Sequence, residues 1–127
     1  MDSIERALVN IEKAMVKLFN KGDVDSILKL FHEDFIGFSS TKHERLTKLS
    51  QLKKTFHYYL KEGDKVKYTI NNLKVKIFGE TAMATFYWRV DIQKNKKVKS
   101  IDGRGSHIFL LIDSGWKIAH EHFSKAH

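Results

Sequence analysis

The chain contains no cysteine and no proline, and it has no apolar run long enough to cross a membrane. The absence of cysteine excludes a disulfide framework and a thiolate metal site. The absence of proline means that no helix or strand has to accommodate a missing backbone donor. A membrane-spanning helix would need about 18 consecutive apolar residues, and the N-terminal residues lack the basic and apolar blocks of a secretory signal. We therefore expect a cytoplasmic protein that uses no membrane and no metal.

Positive charge is in excess: 23 Lys and Arg residues stand against 15 Asp and Glu residues, which gives a formal net charge of +8. Only four of the basic residues are arginines. The lysines are spread over predicted helix surfaces and turns, which is typical of a solvated surface. Nucleic-acid-binding surfaces place arginines and aromatic side chains among the lysines. Weak nucleic-acid binding would rest on the charge alone, and we do not expect nucleic acid to be the partner.

Residues 1–127 form a single predicted domain that is long enough for one hydrophobic core. Helical spacing of apolar residues indicates three helices in the first half of the chain, at about 2–20, 23–32 and 44–62. Asp2 and Asp23 are predicted to cap the first two helices, and a capping box at Thr41 and Glu44 is predicted to begin the third. A short strand is predicted at 35–38, between the second and third helices.

Apolar residues alternate with polar ones after Gly63, which predicts strands. The alternation changes phase near Asn71 and Asn72, which indicates a bulge or bend. It resumes over 82–92, and two further strands flank a turn at 113–115. Three helices followed by an antiparallel meander predict an α+β domain. In such a domain a strongly curved sheet can wrap around the helices and leave a pocket on its concave face.

Two histidines near the end of the sequence are the main candidates for chemistry. Strict alternation divides the last strand into two faces. The face expected to be buried carries Trp116, Ile118, His120 and His122. The opposite face carries Lys117, Ala119, Glu121 and Phe123. His120 and His122 are therefore predicted to be catalytic proton carriers, since an unperturbed imidazole titrates near pH ~6.5. The alternatives are histidines satisfied by hydrogen bonds in the core, or a metal site, for which two ligands are too few.

Arg104 and four aromatic residues complete the predicted site. If the strand face of Ser106 and Ile108 points inward, Arg104 lies at the pocket mouth and binds an anionic group; otherwise it forms an ordinary ion pair. The predicted ligand-binding side chains are Trp88, Tyr68, Trp116 and Phe38. The alternative for the tryptophans is packing in the core, and the alternative for the tyrosine is a hydroxyl held at the surface.

Several stretches of the sequence resemble the SnoaL-like branch of the nuclear transport factor 2-like superfamily. They are the amphipathic first helix, FHEDF at 31–35, the Gly79 turn into TAMA at 81–84, and above all GWKIAHEHFS at 115–124. The resemblance covers nearly the whole chain. It implies three N-terminal helices packed in the concave face of a strongly curved antiparallel or mixed sheet, a cone-shaped α+β barrel. It also implies a homodimer formed through the outer face of the sheet, and chemistry that needs no metal or cofactor.

The resemblance leaves two functions open. Isomerases of this superfamily use a carboxylate base together with a tyrosine and a protonated acid, but the predicted inward positions of the later strands carry no Asp or Glu. The first prediction is a pocket for a small hydrophobic or anionic ligand, in a candidate isomerase, cyclase or dehydratase that uses His122 or His120 as proton carrier and Arg104 to position the substrate. The alternative is a non-catalytic homodimeric binding or scaffold domain, whose outer sheet face is predicted to expose Tyr87, Arg89, Phe109, Leu111 and Phe123. The sequence does not decide whether a reaction is catalysed.

Overall fold

Three helices and five strands make up the computed structural model, which describes residues 2–126. The helices are α1 (Ser3–Lys21), α2 (Val24–Leu28) and α3 (Leu49–Leu60). The strands are β1 (Phe31–Phe38), β2 (Lys65–Phe78), β3 (Thr81–Lys94), β4 (Lys97–Ile112) and β5 (Gly115–Lys125). The predicted α+β class is thus confirmed. Within the described part of the chain, no helix combines the length and the apolar character needed to cross a membrane.

The first two helices begin where the sequence predicts, because aspartate side chains cap their free backbone amides. Asp2 accepts a hydrogen bond of 2.8 Å from the Glu5 amide at the start of α1, and Asp23 accepts one of 3.2 Å from the Ser26 amide at the start of α2. Gly22 ends α1 with a φ of +75°, a left-handed conformation that glycine adopts without strain. The second helix ends earlier than predicted, because β1 follows almost at once.

The third helix begins later than predicted, so the capping box expected at Thr41 and Glu44 is wrong. Gln51 satisfies the backbone at the start of α3 instead. Its side-chain oxygen accepts hydrogen bonds from the amides of Thr47 and Lys48, at 2.8 and 3.2 Å. The residue that marks the start of α3 in the sequence is therefore Gln51, which lies further along the chain than the predicted Thr41 and Glu44.

The segment between β1 and α3 is a loop tied to the sheet rather than the first turn of a helix. Leu46 exchanges two backbone hydrogen bonds with Gly37 of β1, at 2.8 and 3.0 Å. The Leu46 side chain is fully buried. This bridge requires extended backbone just where the sequence predicts a helix, which explains the late start of α3.

The strands form one mixed sheet in the order β1-β5-β4-β3-β2. Strand β5 runs parallel to β1, and every other neighbouring pair is antiparallel. Strands β1 and β2 are the two edges, so the sheet is open and is not closed into a barrel. We call the face that packs on the helices the inner face and the opposite face the outer face. The inner face of β3 is buried along its whole length, through Ala82, Ala84, Phe86, Trp88, Val90 and Ile92.

The phase change predicted in β2 is confirmed. Its register against β3 shifts between Asn71 and Lys74. Asn72 has a φ of 54°, and asparagine is among the few residues that adopt such a conformation readily. The bulge therefore sits where the sequence pattern placed it.

A second irregularity, in β5, reverses the predicted orientation of the candidate histidines. The register against β4 shifts at Ala119, which has no partner residue of its own in β4. Ile118 and Glu121 are both buried on the inner face as a result. The prediction that His120 and His122 share the buried face with Ile118 is wrong: both lie on the outer face, with His120 partly exposed and His122 exposed.

Two phenylalanines predicted for the outer face belong to the core instead. Phe109 is fully buried. Phe123 packs on Trp88, with ring centroids 5.7 Å apart, because the extra residue Ala119 also turns Phe123 towards the helices. Tyr87 and Arg89 are exposed as predicted.

Candidate functional site

Three ionisable side chains from different parts of the sequence meet in the core. Glu12 comes from α1, His107 from β4 and Glu121 from β5, and each is 3% exposed or less. The Nδ1 atom of His107 lies 2.7 Å from Oε2 of Glu12, and its Nε2 atom lies 2.9 Å from Oε1 of Glu121. One imidazole therefore bridges two carboxylates, and we call this group the buried trio.

The surroundings keep His107 protonated. Burial by itself would lower its pKa, but the charges and hydrogen bonds of Glu12 and Glu121 outweigh that effect and raise the pKa of His107 to about 10. Both ring nitrogens then carry hydrogen, and each donates to one carboxylate. The buried trio thus sets two carboxyl side chains against one imidazole.

Aromatic rings surround the imidazole and separate it from water. Its centroid lies 5.2 to 6.2 Å from those of four rings, which belong to Phe31, Phe86, Phe109 and Phe123. A low-dielectric environment of this kind strengthens hydrogen bonds between charged groups, and it also raises the cost of burying them. Apolar side chains of similar volume would often give an equally stable or a more stable core. Fold stability alone therefore does not account for the buried trio.

A cavity of about 40 Å³ lies on the inner face, and Glu121 forms part of its wall. Most of the wall is apolar and comes from Met15, Phe19, Phe56, Trp88, Val90 and Phe123. The polar part comes from Ser39, Ser40, Thr55, Tyr59, Tyr68 and Glu121. Four of the lining residues are partly exposed: Ser39, Ser40, Phe56 and Phe123.

Two phenols of the cavity wall stay protonated at neutral pH. Burial, reinforced by the negative charges of Glu12 and Glu121, raises the pKa of Tyr68 well above its usual value of 10. Burial also raises the pKa of Tyr59, whose hydroxyl lies 3.0 Å from the Ser40 hydroxyl. The wall of the cavity thus includes one carboxyl residue, Glu121, together with hydroxyl groups that can donate hydrogen bonds.

The inward carboxylates are the main feature that the sequence analysis missed. The expectation that the inward positions of the later strands carry no Asp or Glu is wrong, because Glu121 of β5 points inward. Glu12 reaches the same place from α1. For Glu12 a signal was available: it interrupts the buried stripe of α1, between Leu8 and Met15. For Glu121 the strand alternation gave the opposite face, because nothing in the sequence marks Ala119 as a bulge.

The four predicted ligand-binding residues separate into two pairs. Trp88 and Tyr68 line the cavity, and the indole nitrogen of Trp88 donates a 3.1 Å hydrogen bond to the Arg104 carbonyl. Trp116 is partly buried against the core and does not line the cavity. Phe38 faces outward, with its ring centroid 5.5 Å from that of His122.

The three predicted catalytic residues lie away from the cavity. His120 is held by a 2.8 Å hydrogen bond between its Nδ1 atom and the Ile36 carbonyl. Arg104 and His122 line a groove of the outer face together with Tyr87. The predicted position of Arg104 at the mouth of an inner pocket is therefore wrong, since its strand face points outward. Their catalytic roles stay predictions, and any such role would act on the outer face.

Residues 2–126 contain no group of three or more His, Asp or Glu side chains arranged to hold a metal ion. The buried trio does not form such a group, because His107 stands between the carboxylates and both of its ring nitrogens are hydrogen-bonded. The side chains present can accept a proton, donate hydrogen bonds and pair charges.

Comparison with known proteins gives one family and many similar folds. Residues 9–127 match the SnoaL-like domain family, and no curated protein matches the chain. Similar solved structures include the CaMKII hub of S. rosetta, which is 22% identical with a TM-score of 0.82 and 95% coverage of each chain. A nuclear transport factor 2-like superfamily protein from Salmonella enterica is 19% identical with a TM-score of 0.83, over 98% of this chain and 92% of that one. A proposed dehydratase from Streptomyces avermitilis is 12% identical with a TM-score of 0.85, over 98% and 97%.

At these identities the structural matches establish the fold alone, whereas the family match spans most of the chain. The fold places the sheet against the helices in the same way as in these relatives. The chain belongs to the SnoaL-like domain family, and its fold is similar to that of a nuclear transport factor 2-like protein.

Proposed function

We propose that this chain is a small-molecule-binding domain whose ligand occupies the cavity against Glu121. The observation that carries the proposal is Glu121, the one charged residue among the described residues that line this largely apolar cavity, whose carboxylate is hydrogen-bonded to the buried His107. Binding pockets characteristically combine mostly apolar walls with a few fixed polar groups. A strongly curved sheet, as the family resemblance implies, would enclose this cavity between the sheet and the helices.

The same groups support proton transfer without a cofactor. Glu121 is the proton acceptor, and His107 holds its carboxylate in one orientation through the 2.9 Å hydrogen bond. The phenols of Tyr68 and Tyr59 are available to donate hydrogen bonds to an oxygen that gains negative charge during the reaction. This arrangement favours an isomerase, cyclase or dehydratase type of reaction. The proposed dehydratase among the similar structures is consistent with that choice.

Ligand binding can be tested with isotope-labelled protein and a set of small fragments. We expect saturable shifts of the Trp88 indole resonance and not of the Trp116 resonance, since only Trp88 lines the cavity. Glu121→Gln should weaken the binding of fragments that carry hydrogen-bond donors, whereas the matched control Glu80→Gln, at an exposed turn, should not. Fragments that perturb only the outer face would contradict the proposal.

Proton transfer has a separate readout. A carbonyl fragment that binds in the cavity should exchange its α-protons for deuterium in heavy water faster than the free fragment does. Glu121→Gln should abolish this acceleration, because the proton acceptor is lost. Binding without faster exchange of the α-protons would support a binding domain and contradict the proposed proton transfer.

The second candidate function is assembly through the outer face of the sheet. One row of outer residues crosses four strands, as Met83 pairs with Ile108, Ile108 with His120, and His120 with Ile36. Ile36 is 46% exposed at the edge of this row. Met83, Ile108 and His120 are partly exposed in the same row. Apolar side chains exposed on a sheet face favour contact with a second copy, and the similar structures include a CaMKII hub and a CaMKII association domain.

Sedimentation velocity tests this candidate. The chain should sediment as a dimer at micromolar concentration, and Ile36→Glu should shift it to the monomer, because a charge would be buried in the contact. Val98→Glu is the matched control, since Val98 is also an exposed apolar residue but lies in the strand segment after the β3–β4 turn. A monomeric wild-type chain would exclude the homodimer.

A further inference from the structure

We infer that the ligand of this cavity is a small organic cation, an amine that is protonated at neutral pH; the inference rests on the proposed binding function. The chain has 23 Lys and Arg residues, yet none of them contributes to the cavity wall, where Glu121 is the one charged residue among those described. An anionic ligand would meet a carboxylate and no counter-charge. A cation would pair with Glu121 directly.

The charge balance around Glu121 favours the same class of ligand. Its neighbour His107 carries one positive charge but shares it with Glu12, which lies 2.7 Å away on the far side of the imidazole. Two carboxyl side chains thus share a single imidazole, so by formal charge the buried trio has one negative group more than positive groups beside the cavity. A buried unpaired charge is costly, and a bound cation would compensate it.

The aromatic part of the wall suits a cation better than a neutral group. Trp88 contacts Tyr59 and Phe123, with ring centroids 6.4 and 5.7 Å away, and Phe19 contacts Phe56 at 6.4 Å. The cavity therefore has two aromatic clusters in its wall. The faces of aromatic rings attract organic cations, and the attraction is strongest where water is excluded.

The site is also fixed in advance of binding. Both nitrogens of His107 are engaged, so the imidazole cannot rotate without losing a hydrogen bond to a buried carboxylate. Glu121 is held in turn, and little side-chain freedom remains to be lost when a ligand binds. The cavity volume of about 40 Å³ limits the ligand to a few non-hydrogen atoms. The exposed lysines do not oppose entry strongly, since salt screens their charges.

Three probes of nearly equal size and different charge test the inference on the wild-type protein: propylammonium, 1-propanol and propanoate. Binding is followed at neutral pH through the Trp88 indole resonance, with the Trp116 resonance as internal reference. We expect propylammonium to bind roughly tenfold more tightly than 1-propanol, as a charge-assisted hydrogen bond to Glu121 would give, and propanoate to bind most weakly. Glu121→Gln should remove the preference for the cation, and Glu80→Gln should keep it.

The outcomes separate this inference from the proposal on which it rests. Equal binding of propylammonium and 1-propanol at the cavity, or tighter binding of propanoate, would contradict the inference that the ligand is a cation. Either result would still support the proposed small-molecule pocket. The absence of saturable shifts at Trp88 with all three probes overturns both. The comparison of probes needs no variant, so it stands even if Glu121→Gln does not fold. A preference that persists in folded Glu121→Gln also overturns the inference, because the carboxylate is its cause.

Discussion

The two faces of β5 carry ionisable residues in opposite settings. Glu121 on the inner face is 3% exposed and hydrogen-bonded to a protonated imidazole, whereas His122, the next residue, is exposed on the outer face. Regular alternation would have exchanged them, and the unpaired Ala119 is what places each where it is. One extra residue in a strand thus decides which acid or base enters the core. The face of the sheet on which a strand residue lies depends on the register of the strand. Candidate catalytic residues on a strand can therefore be identified only when the register is known as well as the residue type.

The largest expected difference between the faces concerns their histidines. His107→Ala removes the cation between two buried carboxylates, and we expect a loss of about 3–5 kcal/mol in the free energy of unfolding. His122→Ala removes an exposed ring and should change that free energy by no more than about 0.5 kcal/mol. Urea unfolding of both variants measures the difference. Similar losses in the two variants would contradict the expected difference between the buried His107 and the exposed His122.

An apolar replacement of the whole buried trio separates stability from function. In the triple variant Glu12→Met, His107→Leu, Glu121→Met, no charge is left without a partner, so the free energy of unfolding should be unchanged or higher by up to about 4 kcal/mol. The same variant should lose its binding of propylammonium. Urea unfolding and the Trp88 titration check the two parts. If the triple variant is as unstable as His107→Ala, the trio is needed for folding itself.

The contribution of His107 to the free energy of unfolding should also depend on pH. The pKa of His107 is about 10 in the folded chain, against 6.5 for an unperturbed histidine. Between these values the folded chain keeps a proton that the unfolded chain releases, so this contribution is complete below pH 6.5 and is lost as pH rises through about 10. Urea unfolding across this range should therefore give a falling free energy in the wild type. The decline should be absent from the triple variant, and its persistence there would assign it to other groups.

A small effect is also expected for His120 on the outer face. His120→Ala removes the 2.8 Å hydrogen bond to the Ile36 carbonyl, and we expect a loss of about 1 kcal/mol or less because the ring is partly exposed. Binding of propylammonium should not change. Urea unfolding and the Trp88 titration test both statements, and weakened binding would show that the outer face acts on the cavity.

Much of the fold was predictable because its signals are local. The caps at Asp2 and Asp23, the alternation of β3 and the bulge at Asn72 all follow from neighbouring residues. The bulge at Ala119 has no such signal, since alanine fits either face and neither glycine nor asparagine marks the position.

The candidate site was less predictable because its parts are distant in sequence. Trp88 and Tyr68 were identified as pocket residues from their type and strand position, and both line the cavity. The contact between Glu12 and His107 joins residues that are 95 positions apart, and only the packing of α1 on the sheet brings them together. Isolated charges on an apolar stripe, as Glu12 is on α1, are the sequence feature that points to such contacts.

The position of β5 between β1 and β4 has a consequence for how the chain folds. The sheet stays divided until β5 is available, because β1 has no other strand neighbour. During synthesis, the helices and β1 emerge long before the strand that joins them to the rest. Contacts that bridge distant parts of a chain form slowly, and unpaired strand edges are exposed in the meantime. Completion of the sheet by β5 also brings Glu121 to His107, so the proposed binding site is complete only after β5 has joined the sheet.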